Sequence, residues 1–332
     1  MAADLWWLGV AVPGAVVGLI VISYVWTKLT APGFKVDGKH VFITGGSTGL
    51  GLALAKKYAI AGAKVSIVAR GLANLEAAKV EIEAVSKHKS PVFIQSCDVT
   101  DFASVQKAVD AAVKFQGRAT DHLLCSAGLS QPGYFLDNDV SVFRKMMDLN
   151  YFGTLHAIKA ALPAMVAQSE GGQIVLVSSG LALTSWIGYS QYSGSKYAIR
   201  GLADSLRNEL LAYDIRVSIY YPGNIDSPGF AEEEKTKPEE TKTIEGVSEL
   251  STPDSVAQSL IDGISNGQFS ITNELVIFFL RVIANGVAPR VNSMLEMVLL
   301  PIIVPVQIGF GFFMDFTVTQ AAKKKASKNK KD

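Results

Sequence analysis

Three residues near the middle of the chain could do chemistry on a carbonyl. Tyr192 and Lys196 stand four apart in Tyr192-Ser193-Gly194-Ser195-Lys196, and on a helix that spacing places both side chains on one face. A free phenol has a pKa of about 10, too high for an efficient acid or base at neutral pH. A neighbouring ammonium favours the phenolate and is expected to bring that pKa down. Ser179 lies upstream, at the end of the apolar run Gln173-Ile174-Val175-Leu176-Val177. Its hydroxyl could hold the oxygen of a substrate carbonyl, and Ser178 takes that place if the register slips by one.

A second group of residues could hold a nucleotide. The apolar run from His40 leads into Thr44-Gly45-Gly46-Ser47-Thr48-Gly49-Leu50-Gly51, and a helix-like stretch comes next. Glycines at 45, 49 and 51 let the backbone turn tightly and approach a phosphate, and the helix N-terminus presents free N–H groups there. The strand–turn–helix context is what such a motif requires. The second run, Lys64 to Ala69, is followed by Arg70, with no carboxylate before Glu76. An acidic residue at that point would hold the ribose 2′-hydroxyl of NAD, whereas a cation suits the 2′-phosphate of NADP, helped by the Ser47 hydroxyl. Asp98, after the third run, could accept a hydrogen bond from an adenine amine.

These side chains need a scaffold that alternates strands and helices. Short β-rich apolar runs start at His40, Lys64, Val92, Asp121, Gln173 and Ile215. Helix-like stretches lie between them, at 51–61, 74–85, 104–115 and 141–167 among others. That alternation argues for an α/β fold with a parallel sheet covered on both faces, and residues 36–270 read as one catalytic domain. Within it, the charged run Ala231–Thr243 is expected to be a surface loop, whose Glu232–Glu234 could attract an amine.

Composition limits the partners. Of the 332 residues, 31 are Lys or Arg and 30 are Asp or Glu, so no basic field points to nucleic acid. Two cysteines, Cys97 and Cys125, make neither a disulfide framework nor a zinc site and read as buried thiols, and no grouping suggests a metal. Charged residues are 18% and hydrophobic ones 49%, against about 25% charge in a soluble domain.

The excess apolar character lies at the ends. Leu5 to Thr27 carries no charge, long enough for a bilayer core, with Trp6, Trp7, Tyr24 and Trp26 where aromatic belts form. Residues 1–35 are therefore expected to be an N-terminal transmembrane helix and linker. Asp4 before the run and Lys28 and Lys35 after it place the catalytic domain in the cytosol. Residues 271–318 are expected to be membrane-associated, through 275–288 and through Met297–Met314. The latter contains Pro301 and Pro305 and is expected to kink or to lie in the interface. The basic tail, 319–332, should stay cytosolic, so both C-terminal segments cross as a hairpin or neither does. Its end, Lys328-Asn329-Lys330-Lys331-Asp332, resembles the dilysine retrieval signals of endoplasmic-reticulum membrane proteins.

With these motifs in order, the chain from about residue 39 to 229 resembles the short-chain dehydrogenase/reductase family. The carrying elements are TGGSTGLG at 44–51, CDVT at 97–100, SAG at 126–128, Asn150 in DLNYFG, the serine pair 178–179, YSGSK at 192–196 and YPGNIDSPGF at 221–230. The resemblance implies a Rossmann-type, doubly wound sheet of about seven parallel strands with the active site at their carboxyl ends. It implies a catalytic tetrad of Asn150, Ser179, Tyr192 and Lys196, with Asn150 holding a water that continues a proton relay from Lys196. It implies NADPH contacts from Gly45, Ser47, Thr48, Gly49, Leu50, Gly51, Arg70, Asp98, Val99, Ala127, Gly128, Tyr192, Lys196, Pro222, Gly223 and Ile225. One departure is Cys125-Ser126-Ala127-Gly128 where the family usually has Asn-Asn-Ala-Gly. Two segments, 192–210 and PGFAEEEKTKPEET at 228–241, are similar to the branch that reduces sphingoid-base ketones. That implies NADPH-dependent reduction of the 3-keto group of a long-chain base at the endoplasmic-reticulum membrane, with the site facing the cytosol. A membrane-associated steroid or retinol reductase of the same family is the alternative, and a non-catalytic NADP-binding membrane scaffold a remote one. Family members often form homo-oligomers, so the resemblance leaves a homo-oligomer open, and nothing in the sequence itself points to one.

Overall fold

The computed structural model describes residues 6–246 and 250–328. The elements in chain order are α1 (Trp6–Leu29), β1 (His40–Thr44), α2 (Gly49–Ile60), β2 (Lys64–Ala69), α3 (Leu72–Val85), β3 (Phe93–Ser96), α4 (Phe102–Gln116) and β4 (His122–Cys125). Then come α5 (Val140–Met146), α6 (Gly153–Gln168), β5 (Gly172–Val177), α7 (Ser190–Glu209), β6 (Ile215–Tyr221), α8 (Pro228–Glu234) and α9 (Glu239–Glu245). The chain ends with α10 (Pro253–Ser265), β7 (Ser270–Thr272), α11 (Leu275–Ala284) and α12 (Ser293–Lys328).

The strands form one parallel sheet in the order β3-β2-β1-β4-β5-β6-β7. Both faces are covered, which is why the strands read as unbroken apolar runs. Along β1, Phe42 packs with α4, α6 and α7 on one face, while Val41 and Ile43 pack with α2, α3 and α10 on the other. The chain leaves β1 toward β2 on one side and reaches β4 on the other, so a crevice opens beyond the carboxyl ends of β1 and β4.

Three local expectations change. The stretch 141–167 is not one helix: a π-helical turn, Met147–Phe152, separates α5 from α6 and carries Asn150. Single π turns of this kind recur at functional sites. The charged run Ala231–Thr243 is not a solvated loop, because α8 and α9 occupy it and Lys237, Glu240 and Thr241 are buried. The prolines of the C-terminal run do not break it: α12 continues through Pro301 and Pro305 over 36 residues.

Among the described residues one helix is long and apolar enough to cross a membrane, Ser293–Lys324, and it is mostly exposed. Where an N-terminal transmembrane helix was expected there is a helix, α1, whose described apolar stretch, Pro13–Leu29, is shorter than the C-terminal one. α11 has ten residues, about 15 Å of helix, half of a hydrocarbon core of about 30 Å, so it cannot serve as one arm of a crossing hairpin. Asp4 and residues 329–332 of the dilysine-like end lie outside the described residues.

The C-terminal helices are fastened to the domain. Arg281 on α11 and Glu296 on α12 form a buried ion pair at 2.7 Å, and Arg290 joins it at 2.9 Å. The Val291 N–H donates to Glu296 at 2.9 Å. Asn292 donates to the carbonyl of Ile20 on α1 at 3.3 Å, and Lys28 at the end of α1 donates to Asn266 beyond α10 at 2.8 Å.

Candidate active site

The turn after β1 is closed so tightly that it tolerates no side chain at Gly45 or Gly51. A Cβ on Gly51 would lie 2.2 Å from the carbonyl oxygen of Gly45, and one on Gly45 would lie 2.8 Å from Cα of Ala127. Gly45 and Gly49 also take positive φ, 68° and 53°, which glycine adopts without strain. Thr48 precedes α2 without capping it through its side chain, so no side chain of that residue competes for the free N–H groups of the first turn. Arg70 at the end of β2 is exposed and borders the same space. Asp98 accepts from the backbone N–H and the hydroxyl of Thr100 at 2.9 and 2.8 Å. The Thr100 N–H is the main cause that holds its carboxyl below the usual range. An open helix N-terminus, a backbone pressed against it and a cation beyond β2 fit a dinucleotide carrying a 2′-phosphate.

β5 and α7 bring the candidate catalytic groups together. Ser178 donates to the carbonyl of Lys196 at 3.1 Å, so its hydroxyl ties β5 to α7. Ser179 is the next residue; its oxygen accepts from the Leu181 N–H at 3.2 Å, and it hydrogen-bonds Tyr192. Lys196 donates to the carbonyl of Val177 at 3.1 Å and lies 5.6 Å from the Tyr192 ring centre. Asn150 sits behind them, fully buried. Its amide bonds both backbone groups of Leu129, at 3.0 and 3.1 Å, and donates to Ser195 at 2.9 Å. Gly128 lies between, since a Cβ there would be 2.9 Å from the Asn150 amide oxygen and 3.5 Å from the Lys196 nitrogen.

The electrostatics differ from the expectation for an ammonium beside a phenol. Burial pushes the Tyr192 phenol up, the charge of Glu233 adds to that, and the Ser179 hydrogen bond opposes it only in part. Burial pushes the Lys196 ammonium down to about 8. In this state desolvation outweighs the pairing that the four-residue spacing suggested.

Ser178, Ser179, Tyr192 and Lys196 border one cavity of about 1470 Å³, as does every residue expected to touch the nucleotide, whereas Asn150 and Ser195 lie behind its wall. Asn74 borders it too and was not foreseen. Its remaining wall comes from residues whose role sequence reasoning missed. α8, α9 and the turn between them give Glu233, Thr236, Ile244 and Glu245 to the wall, and behind it, in that turn, Lys237 is held by Glu245 at 2.7 Å, by Glu233 at 3.4 Å and by Glu234. Burial pulls the Lys237 ammonium down, but Glu234, Glu245 and Glu233 together outweigh it and keep it above the usual lysine range. Glu233 accepts from the Tyr189 hydroxyl at 2.5 Å, and burial pushes its carboxyl up. The spacings Glu233–Lys237 and Glu234–Lys237 were a usable signal, since ion pairs form at i, i+4 and i, i+3. α11 and α12 supply the rest of the wall; nothing in their sequence distinguishes a cavity wall from a lipid-facing run.

Comparison with known proteins agrees with this geometry. The short chain dehydrogenase family matches residues 39–238. A 3-ketodihydrosphingosine reductase of Dictyostelium discoideum is 37% identical over 296 residues, covering 85% of this chain and 88% of that protein. A 3-dehydrosphinganine reductase of Danio rerio is 36% identical over 284 residues, covering 85% of each. Among solved structures, a short chain dehydrogenase/reductase from Burkholderia phymatum in complex with NAD superposes with a TM-score of 0.67 at 24% identity, over 75% of this chain and 94% of its own. A short-chain type dehydrogenase/reductase from Mycobacterium marinum gives 0.64 at 27% identity, over 72% and 94%.

Proposed function

The chain belongs to the short-chain dehydrogenase family, and from that premise we propose that it reduces the 3-keto group of 3-ketodihydrosphingosine to dihydrosphingosine with NADPH. The relatives whose names carry that activity span most of the chain, including the α8–α9 segment that lines the cavity. The observation that carries the reading is one cavity bordered by the phosphate turn, by Tyr192, Ser179 and Lys196, and by an apolar wall from α11 and α12.

Each side chain has a task set by its surroundings. NADPH, when bound along the Gly45–Gly51 turn, supplies the hydride. Arg70 and Ser47 select the 2′-phosphate. Ser179 holds the ketone oxygen by donating its hydroxyl hydrogen. Tyr192 donates its proton to that oxygen as it becomes an alcohol; its raised pKa keeps it a phenol, with a proton to give, at neutral pH. Lys196, cationic below about pH 8, lies close enough to stabilise the phenolate left behind. Asn150 fixes the Leu129 backbone and Ser195 behind Lys196, the position for a proton relay.

The protein is membrane-bound in this reading. Exposed apolar side chains on α1 (Val21, Ile22, Trp26) and α12 (Phe312, Phe316) form the surface that meets lipid. α11 is too short to cross, so α12 lies in the interface with the cavity on one side, and the catalytic domain and tail share the cytosolic face of the endoplasmic reticulum. The detergent-solubilised full chain, given NADPH and 3-ketodihydrosphingosine, should consume NADPH and form dihydrosphingosine identified by mass. No conversion, together with reduction of a steroid or retinoid in a parallel assay, would move the substrate to that class.

A further inference from the structure

The cavity has room for more than one ligand, and its lining is lopsided. Its volume of about 1470 Å³ exceeds the roughly 300–1,000 Å³ usual for one ligand. The phosphate turn, Arg70, Asp98, the group around Ser179, Tyr192 and Lys196, and the carboxylates Glu232, Glu233 and Glu245 supply its polar part. Among the described α11 and α12 residues that border it, Gln307 alone is polar. The two parts are joined through side-chain contacts. Ile277 of α11 abuts Gly180, next to Ser179, where a Cβ would lie 3.2 Å from its terminal carbon. An aromatic ladder runs from Tyr192 to Tyr189 at 6.0 Å, on to Trp186 at 6.3 Å, to Phe310 of α12 at 6.3 Å, and to Phe313 at 6.1 Å. Ile303, on the same helix, is 5% exposed and borders the cavity, whereas Ile308 is 56% exposed and does not. α12 therefore has a side turned to the active site and a side turned out.

We propose that the inward side of α11 and α12 is the chain-binding half of the active site. The aliphatic tail of the ketone lies along Leu280, Ile303, Val306 and Phe310 while its carbonyl sits at Tyr192, and α12 sets the chain lengths accepted. This rests on the ketone reading above and assigns residues which that reading leaves without a task. The occupant is dictated by the wall: an apolar channel leading from a carbonyl-reducing centre fits an unbranched hydrocarbon carried by the substrate itself. Each methylene moved out of such a wall weakens binding about fourfold.

The test compares a long-chain sphingoid ketone with a short-chain, water-soluble analogue. Ile303→Trp fills the channel and should raise KM for the long-chain ketone at least about tenfold, while kcat/KM for the short analogue stays at the parent value. Ile308→Trp, the same change on the outward side, should alter neither. Phe310→Ala should shift the preferred chain length upward. Equal loss on both ketones in an Ile303→Trp protein that still binds NADPH, or an unchanged chain-length profile in Phe310→Ala, overturns the proposal. If Ile303→Trp fails to fold, the unaltered protein decides through a sphingoid ketone with a diazirine on its terminal carbon. Label in the tryptic peptide between Arg290 and Lys323 supports the proposal; label elsewhere only overturns it. A parent protein that reduces neither ketone overturns the functional reading, while the crosslink still reports where the chain lies.

Discussion

The two ends of the cavity are built by opposite means. At the nucleotide end the backbone makes the site: Gly45 and Gly51 stand where a Cβ would strike main-chain atoms, and α2 presents N–H groups that its N-cap side chain leaves uncapped. At the tail end side chains make it: α11 and α12 are held by the buried Arg281–Glu296 pair and offer isoleucine, valine and phenylalanine to the cavity. A site made by backbone conformation demands particular residues at particular spacings. A site made by apolar burial accepts many sequences, because volume and hydrophobicity suffice. The first tolerates no change at a few positions, and the second can be tuned at many.

That contrast can be broken or sharpened by structural perturbations of decreasing size. Glu296→Ala leaves Arg281 buried without its partner, a loss of about 3–5 kcal/mol for a pair of this kind. Thermal unfolding should show a marked fall in Tm, and the protein that stays folded should bind NADPH with parent affinity; NADPH affinity falling in step would mean the two ends are one unit. Gly51→Val drives a side chain into the Gly45 carbonyl, an overpacking of about 1–3 kcal/mol. A fluorescence titration should show NADPH affinity reduced about ten- to hundredfold, and thermal unfolding a Tm lower by several degrees. Arg70→Ala removes one exposed cation, so NADPH affinity should fall about tenfold and NADH affinity hardly at all. Equal losses for both nucleotides would take Arg70 away from the 2′-phosphate. The smallest effect is in pH. Lys196 is pushed down to about 8 by burial and is cationic below that value, while Tyr192 is pushed up and keeps its proton. Ketone reduction should therefore decline as pH rises through about 8; a profile flat to pH 9.5 would show that the lysine charge is not needed.

Legibility divides along the same line. Six of the seven strands, the glycine turn and the Tyr192–Lys196 spacing stand in the sequence as period and motif. β7 does not, because three residues make no pattern. The π turn at Met147–Phe152 was hidden because its residues keep a helical composition while the register shifts by one. Lys237 and its carboxylates looked like a solvated run, since charge on a short segment gives no sign of what will cover it; the folding of α8 and α9 around the turn that carries it buries it. The runs at 275–288 and 297–314 were legible as apolar but not as walls of the site, because which side of α12 faces the cavity is fixed by the Glu296 clamp and by the bond from Asn292 to α1. The direction of the Tyr192 shift was missed for a related reason: spacing shows the cation but not the desolvation that outweighs it.

The central claim is that Tyr192 gives its proton to a ketone whose tail leads away toward α12. The most direct test is a single-turnover reduction of 3-ketodihydrosphingosine by Tyr192→Phe loaded with NADPH, beside the parent enzyme. The account predicts that NADPH and ketone bind with affinities near the parent's, and that the rate of hydride loss falls by about 10²–10⁴. Turnover within a few-fold of the parent would contradict it and place the proton donor elsewhere in the cavity.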